Sequence, residues 1–172
     1  MGTVSTALDA QAIAMTSTAA IAGLYERHFA NVYRAALRVT GNQADAEDVL
    51  QTVFLRVLNL GGRLDPSQVP EAYFRRAAVN AAVDLLRRRV SRAESQLDDA
   101  LQRAAAQSPV LLKEQLRRAL AKLEPEDAVI FLLRHLEGCS NGELAGMFGQ
   151  EKNSIAVRLH RIRQSLQAEM SR

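Results

Sequence analysis

Apolar residues recur along this chain with a helical period. Near the C-terminus Ile155, Leu159, Ile162 and Leu166 fall at i, i+4, i+7 and i+11, one stripe for a helix to bury. Just before it, Leu144, Ala145 and Phe148 give a shorter helix an apolar side. Ser140 and Glu143 stand at capping-box spacing, and Gly149 can end that helix in a left-handed turn. Phe74, Ala77, Ala78, Ala81, Ala82, Leu85 and Leu86 form a full apolar face whose alanines permit close approach of neighbouring helices. Leu112, Leu116, Leu120 and Leu123 begin another set, which Glu124-Pro125 interrupts before Val129, Leu132, Leu133, Leu136 and the break at Gly138. Further helices are predicted from Leu24 to Val39, ended by Gly41-Asn42, and from Ala44 to Leu60, ended by Gly61-Gly62. Arg63–Pro70, with two prolines, is predicted to be a loop. Alternating, β-branched-rich runs are absent. The expected architecture is therefore all-α: two small helical domains, residues 21–91 and 111–172, joined by a flexible linker at 92–110. Residues 1–20, small, polar and alanine-rich, are expected to be a disordered tail.

Length and composition narrow the class. At 172 residues each half can bury only a modest core, and a hydrophobic share of 48% excludes wholesale disorder. No apolar run approaches the roughly 20 residues needed to cross a bilayer. No Lys or Arg precedes Arg27, so the start lacks the basic region of a secretory signal. One cysteine, Cys139, allows no internal disulfide and fits a reducing cytoplasm; it reads as a small, partly buried residue at a helix end. The net charge of +3 is modest, but its distribution is uneven. Asp45, Glu47 and Asp48 cluster at a helix start. From Arg75 to Arg92 six arginines face one acid, Asp84, and no acid occurs between Lys152 and Leu166. Two basic patches, each on a patterned helix, are the electrostatic footprint of a nucleic-acid partner.

The last helix carries Lys152, Asn153, Ser154, Arg158, His160, Arg161 and Arg163 outside its apolar stripe. Such a helix suits the major groove, where phosphates are anionic and base edges take hydrogen bonds, although an ordinary basic surface helix has the same composition. Arg158 is expected to read a base and Arg163 to touch phosphate. On the earlier basic helix Arg76, Asn80 and Asp84 lie at i, i+4 and i+8, continued by Arg87 and Arg88; Asn can read a base through its amide and Arg binds phosphate or guanine. Asp84 could instead hold Arg88 one turn on. Asp48, Gln51 and Leu55 place an acid, an amide and a leucine on one stripe, the pattern of a protein-docking face.

Together these segments resemble the extracytoplasmic-function sigma factors, a compact group of the bacterial sigma-70 family. LYERHFANVYRAALRVTGNQADAEDVLQTVFLRVL is similar to the start of sigma region 2, YFRRAAVNAAVDLLRRR to the stretch that ends it, and LAKLEPEDAVIFLLRHLEGCSNGELAGMFG with SIAVRLHRIRQSL to region 4. The resemblance covers about Leu24 to Gln167. It implies that Asp45, Glu47, Asp48, Gln51, Phe54 and Leu55 dock on core RNA polymerase. It implies that Arg63 and its loop, with Arg75, Arg76, Asn80, Asp84, Arg87 and Arg88, bind and melt the minus-ten element. Lys152, Asn153, Ser154, Arg158, His160, Arg161 and Arg163 would bind the minus-thirty-five element. An anti-sigma factor is an implied partner, and no cofactor, metal or catalytic residue is implied. Departures from the family pattern include Tyr73 for Trp, Val79 for Arg, Gln150 and Glu151 before the last helix, and Ala156 for Lys.

A stand-alone helix–turn–helix regulator is the alternative, but it would leave residues 44–89 without a purpose. An enzyme fits least well. His28, His135 and His160 are far apart, none has metal-ligand spacing with Cys139, and no phosphate loop or nucleophile elbow occurs.

Overall fold

The structure, a computed structural model, describes residues 4–60, 69–95 and 109–171. Among these residues it contains seven helices and no strand: α1 (Val4–Thr40), α2 (Gln43–Leu60), α3 (Glu71–Ser95), α4 (Pro109–Lys122), α5 (Pro125–His135), α6 (Asn141–Phe148) and α7 (Lys152–Met170). The all-α expectation holds. Two boundaries differ from it. Helix α1 starts at Val4, inside the stretch expected to be a disordered tail. Residues 4–22 hold seven alanines and no Gly or Pro, so the small-residue composition that suggests disorder also contains the best helix former and no helix breaker. Helix α3 runs to Ser95, past the expected domain boundary at 91, because Arg92, Ala93 and Glu94 sustain a helix and no breaker intervenes. Most of the predicted linker, and residues 63–68 of the predicted loop, Arg63 among them, lie outside the described residues.

α1, α2 and α3 pack together as the first bundle. α1 stops at Gly41, whose φ of 68° is left-handed and whose N–H donates to the Leu37 carbonyl at 2.8 Å. Phe74 of α3 is fully buried at the centre, with the His28 ring stacked on it at 4.1 Å and the Phe54 ring at 5.8 Å. Val32, Val39, Val49, Val53, Ala78 and Ala82 are among the buried residues around it. The small alanines let the helices approach closely, as the sequence pattern requires.

α4 to α7 form the second unit. Pro125 occupies the first turn of α5, where its missing N–H costs nothing. The capping box of α6 is complete: the Glu143 N–H donates to the Ser140 hydroxyl, and the Ser140 N–H donates to the Glu143 carboxylate at 2.8 Å. Gly149 closes the helix with φ 62°. Ile155, Leu159, Ile162 and Leu166 of α7 are all buried, against a core that includes Ile130, Leu133 and Leu144.

The two units meet along α3, which contacts α4 and α5 as well as its own bundle. Arg76, Val79, Val83, Arg87 and Val90 form one stripe of α3. Val79 and Val83 are buried. Arg76 donates to the Met147 carbonyl and lies over the Phe148 ring, 4.2 Å from its centroid; Arg87 donates to the Leu123 carbonyl at 2.5 Å. Arg38 reaches the Leu136 carbonyl and the Glu137 carboxylate at 3.2 and 3.1 Å, and Arg117 donates back to the Val39 carbonyl at 2.9 Å.

Candidate nucleic-acid and polymerase interfaces

α6, the turn at Gly149–Glu151 and α7 build a helix–turn–helix. Burying the Ile155–Leu166 stripe turns the other faces of α7 outward, and Lys152, Asn153, Ser154, His160, Arg161 and Arg163 are all exposed. Glu151 caps α7 without any side-chain hydrogen bond, consistent with its being an unusual residue there.

Arg158 departs from the expectation of a groove-facing reader. Its guanidinium lies between two carboxylates at the start of α5, 2.6 Å from Glu126 and 2.5 Å from Asp127, and its side chain is 26% exposed. Burial alone would lower its pKa, but the hydrogen bonds to Glu126 and Asp127 outweigh burial and raise it. The acids belong to the first turn of α5, where a carboxylate is readable as a partner of the helix dipole. Nothing in the sequence announces a partner 31 residues away.

On α3 the predicted minus-ten residues divide. Asp84 and Arg88 are exposed and, with Arg56 and Arg87, line one surface pocket; Arg56 lies 3.9 Å from Asp84. Asn80 is half-buried. Arg76 and Arg87 are held in the seam described above. Arg75 is 3.9 Å from Glu143 of α6, and its Nε is buried without a hydrogen-bond partner. Arg76 and Arg87, which the spacing along α3 groups with the DNA-facing residues, also join the two units.

On α2, Glu47, Asp48, Gln51 and Leu55 face outward, and Leu55 is 57% exposed. A groove between α2 and α3 runs along Asp48, Gln51 and Leu55 on one wall and Leu85, Arg88 and Arg92 on the other. Asp45 is bound to Arg89 at 2.7 Å. Phe54, grouped with the docking residues in the sequence, is 6% exposed and packs on Tyr25 and Phe74, so it supports the helix from within. Cys139 is buried and burial raises its thiol pKa, in keeping with a packing role.

The described residues thus form a two-domain helical protein with a basic helix–turn–helix at one end and a polar, arginine-rich helix at the centre. Residues 24–92 match the family model of sigma-70 region 2, and residues 113–166 match that of sigma-70 region 4. The chain is 34% identical over 142 residues to the RNA polymerase sigma factor CarQ of Myxococcus xanthus, a match covering 80% of this chain and 82% of CarQ. It is 32% identical over 151 residues to the ECF RNA polymerase sigma factor SigE of Mycolicibacterium smegmatis, covering 83% of this chain but only 58% of SigE. The fold is similar to CnrH in its complex with the cytosolic domain of CnrY, with a TM-score of 0.55 and 23% identity over 92% of this chain and 94% of that one. The chain belongs to the sigma-70 family of RNA polymerase sigma factors, in its extracytoplasmic-function group.

Proposed function

We propose that this protein directs core RNA polymerase to promoters, binding two DNA elements and assisting melting without catalysing a reaction itself. The observation that carries this reading is that region 2 and region 4 occur in one chain, with an exposed docking stripe on α2 as well as the helix–turn–helix. A regulator that only binds DNA has no need of α2 and α3.

Asp48, Gln51 and Leu55, with Asp45 and Glu47 beside them, dock on polymerase. Asn80, Asp84, Arg87 and Arg88, with Arg63, Arg75 and Arg76, take the minus-ten element, where bases held outside the stack offset a few kcal/mol of lost stacking. The exposed residues of α7 bind the minus-thirty-five element. Arg76 and Arg87 are occupied in the seam, so promoter engagement requires the two units to part. An anti-sigma partner is in keeping with the family, and a cytoplasmic site of action follows from the proposed partners; among the described residues no helix is long and apolar enough to cross a membrane.

The test is reconstitution. Core polymerase lacking any sigma factor, given the purified protein, is expected to produce transcripts with defined 5′ ends, and Asp48→Lys with Gln51→Arg is expected to abolish them. Specific DNA binding without transcript initiation would favour the regulator instead.

A further inference from the structure

Outside its buried stripe, the first half of α7 is polar and basic except for Ala156 and Val157. Val157 is 53% exposed, on the outer face. Asn153 and Ser154 stand one turn before it and Arg161 one turn after. These four side chains, with Arg158, Gln150, Glu124 and Asp127, line a groove of about 600 Å³. Single exposed valines are common and by themselves mean little. This one occupies the centre of the surface that the first turns of a recognition helix present to base edges.

The neighbouring arginine cannot fill that centre as it stands, because both carboxylates at the start of α5 hold it. What remains at the middle of the face is a pair of methyl groups flanked by hydrogen-bonding side chains. In the major groove the apolar feature of a base pair is the C5-methyl of thymine. A β-branched side chain in a helix is confined largely to one rotamer, so its methyls are already positioned and lose little freedom on contact.

We infer that Val157 is a specificity-determining residue that packs against a thymine methyl in the minus-thirty-five element, while Arg158 acts as a positioning residue that fixes α7 on α5. This rests on the promoter-recognition reading above and names the base chemistry that reading leaves open.

The experiment uses the full chain with core polymerase on a promoter recovered by mapping transcript 5′ ends. Each thymine of the upstream element is replaced singly by deoxyuridine, which deletes only the methyl group. At one position the wild-type holoenzyme is expected to bind about three- to fivefold more weakly, the effect of one lost methyl contact. Val157→Ala, an exposed substitution that leaves the core intact, is expected to bind the thymine and uracil promoters equally. Absence of any uracil effect, or an undiminished effect in Val157→Ala, overturns the inference while leaving sigma activity standing. Failure of the wild-type protein to start specific transcripts would instead remove the reading on which it rests.

Discussion

An arginine flanked by two carboxylates is committed differently from a lone surface arginine. To reach DNA, Arg158 would leave Glu126 and Asp127 and expose both acids beside a polyanion. Arg158→Ala is therefore expected to destabilise region 4 by about 1–2 kcal/mol, between the values of exposed and buried pairs. It should weaken promoter binding evenly across sequences rather than at one base pair. Thermal melts of Arg158→Ala, Asp127→Asn and the double variant check this: the two single effects should not add, because each removes the same contact. The spacing of residues along α7 was enough to separate its buried stripe from its exposed face. It could not tell Arg158 from Arg161, since that difference is made by the start of α5, another part of the chain. Spacing could not separate Phe54 from its outward-facing neighbours for the same reason. Its neighbours Asp48, Gln51 and Leu55 point outward, and only the packing of Tyr25 and Phe74 places it inside.

At the scale of elements, caps and periodicity carried most of the fold. The Ser140–Glu143 box, the Gly149 turn and the Pro125 start of α5 all occur where the residues require them. Helix α6 has only eight residues, so its end contacts matter in proportion. Ser140→Ala should cost about 1 kcal/mol, and because α6 supports α7, promoter binding should weaken with it. Denaturant unfolding and holoenzyme binding on the same variant would show both effects. A second element-level consequence concerns pH. Burial, then the charge on Arg27, lowers the pKa of His28, with Glu71 opposing; burial, then Arg163 and Arg134, lowers that of His135. The unfolded chain then takes up protons first as pH falls below about 6.5, so stability present above that value is lost on acidification. Melting temperature is expected to drop between pH 7 and pH 5.5, and His28→Gln should flatten part of that slope. What caps could not mark was the beginning of α1, where Thr3, Ser5 and Thr6 offer competing N-cap residues ahead of an alanine-rich run.

For the molecule as a whole, the arrangement of the two domains was not legible, because it depends on arginines that serve equally well as DNA ligands. Val79 is the informative residue. The family commonly carries Arg at this place, whereas here a fully buried valine lies between Arg76 and Arg87. Val79→Arg restores the commoner residue and puts a charge into a dry seam. It is expected to part the two units without loss of helix. Small-angle scattering should report a radius of gyration above the roughly 16 Å of a compact chain of this length, with an unchanged far-ultraviolet spectrum. An unchanged radius would mean that the seam tolerates the charge. The seam also has an asymmetry. Arg38, Arg76, Arg87 and Arg117 all cross it to main-chain carbonyls, of Leu136, Met147, Leu123 and Val39. A carbonyl is present whatever side chain its residue bears. The accepting surface can therefore drift through mutation while the donors stay in use, so compensating pairs of changes across the two halves should be scarce in this lineage. Exchanging the second half with that of a distant relative that keeps Arg at the position of Arg117, the one of these four donors that the second half supplies, should preserve closure more often than its sequence divergence would suggest.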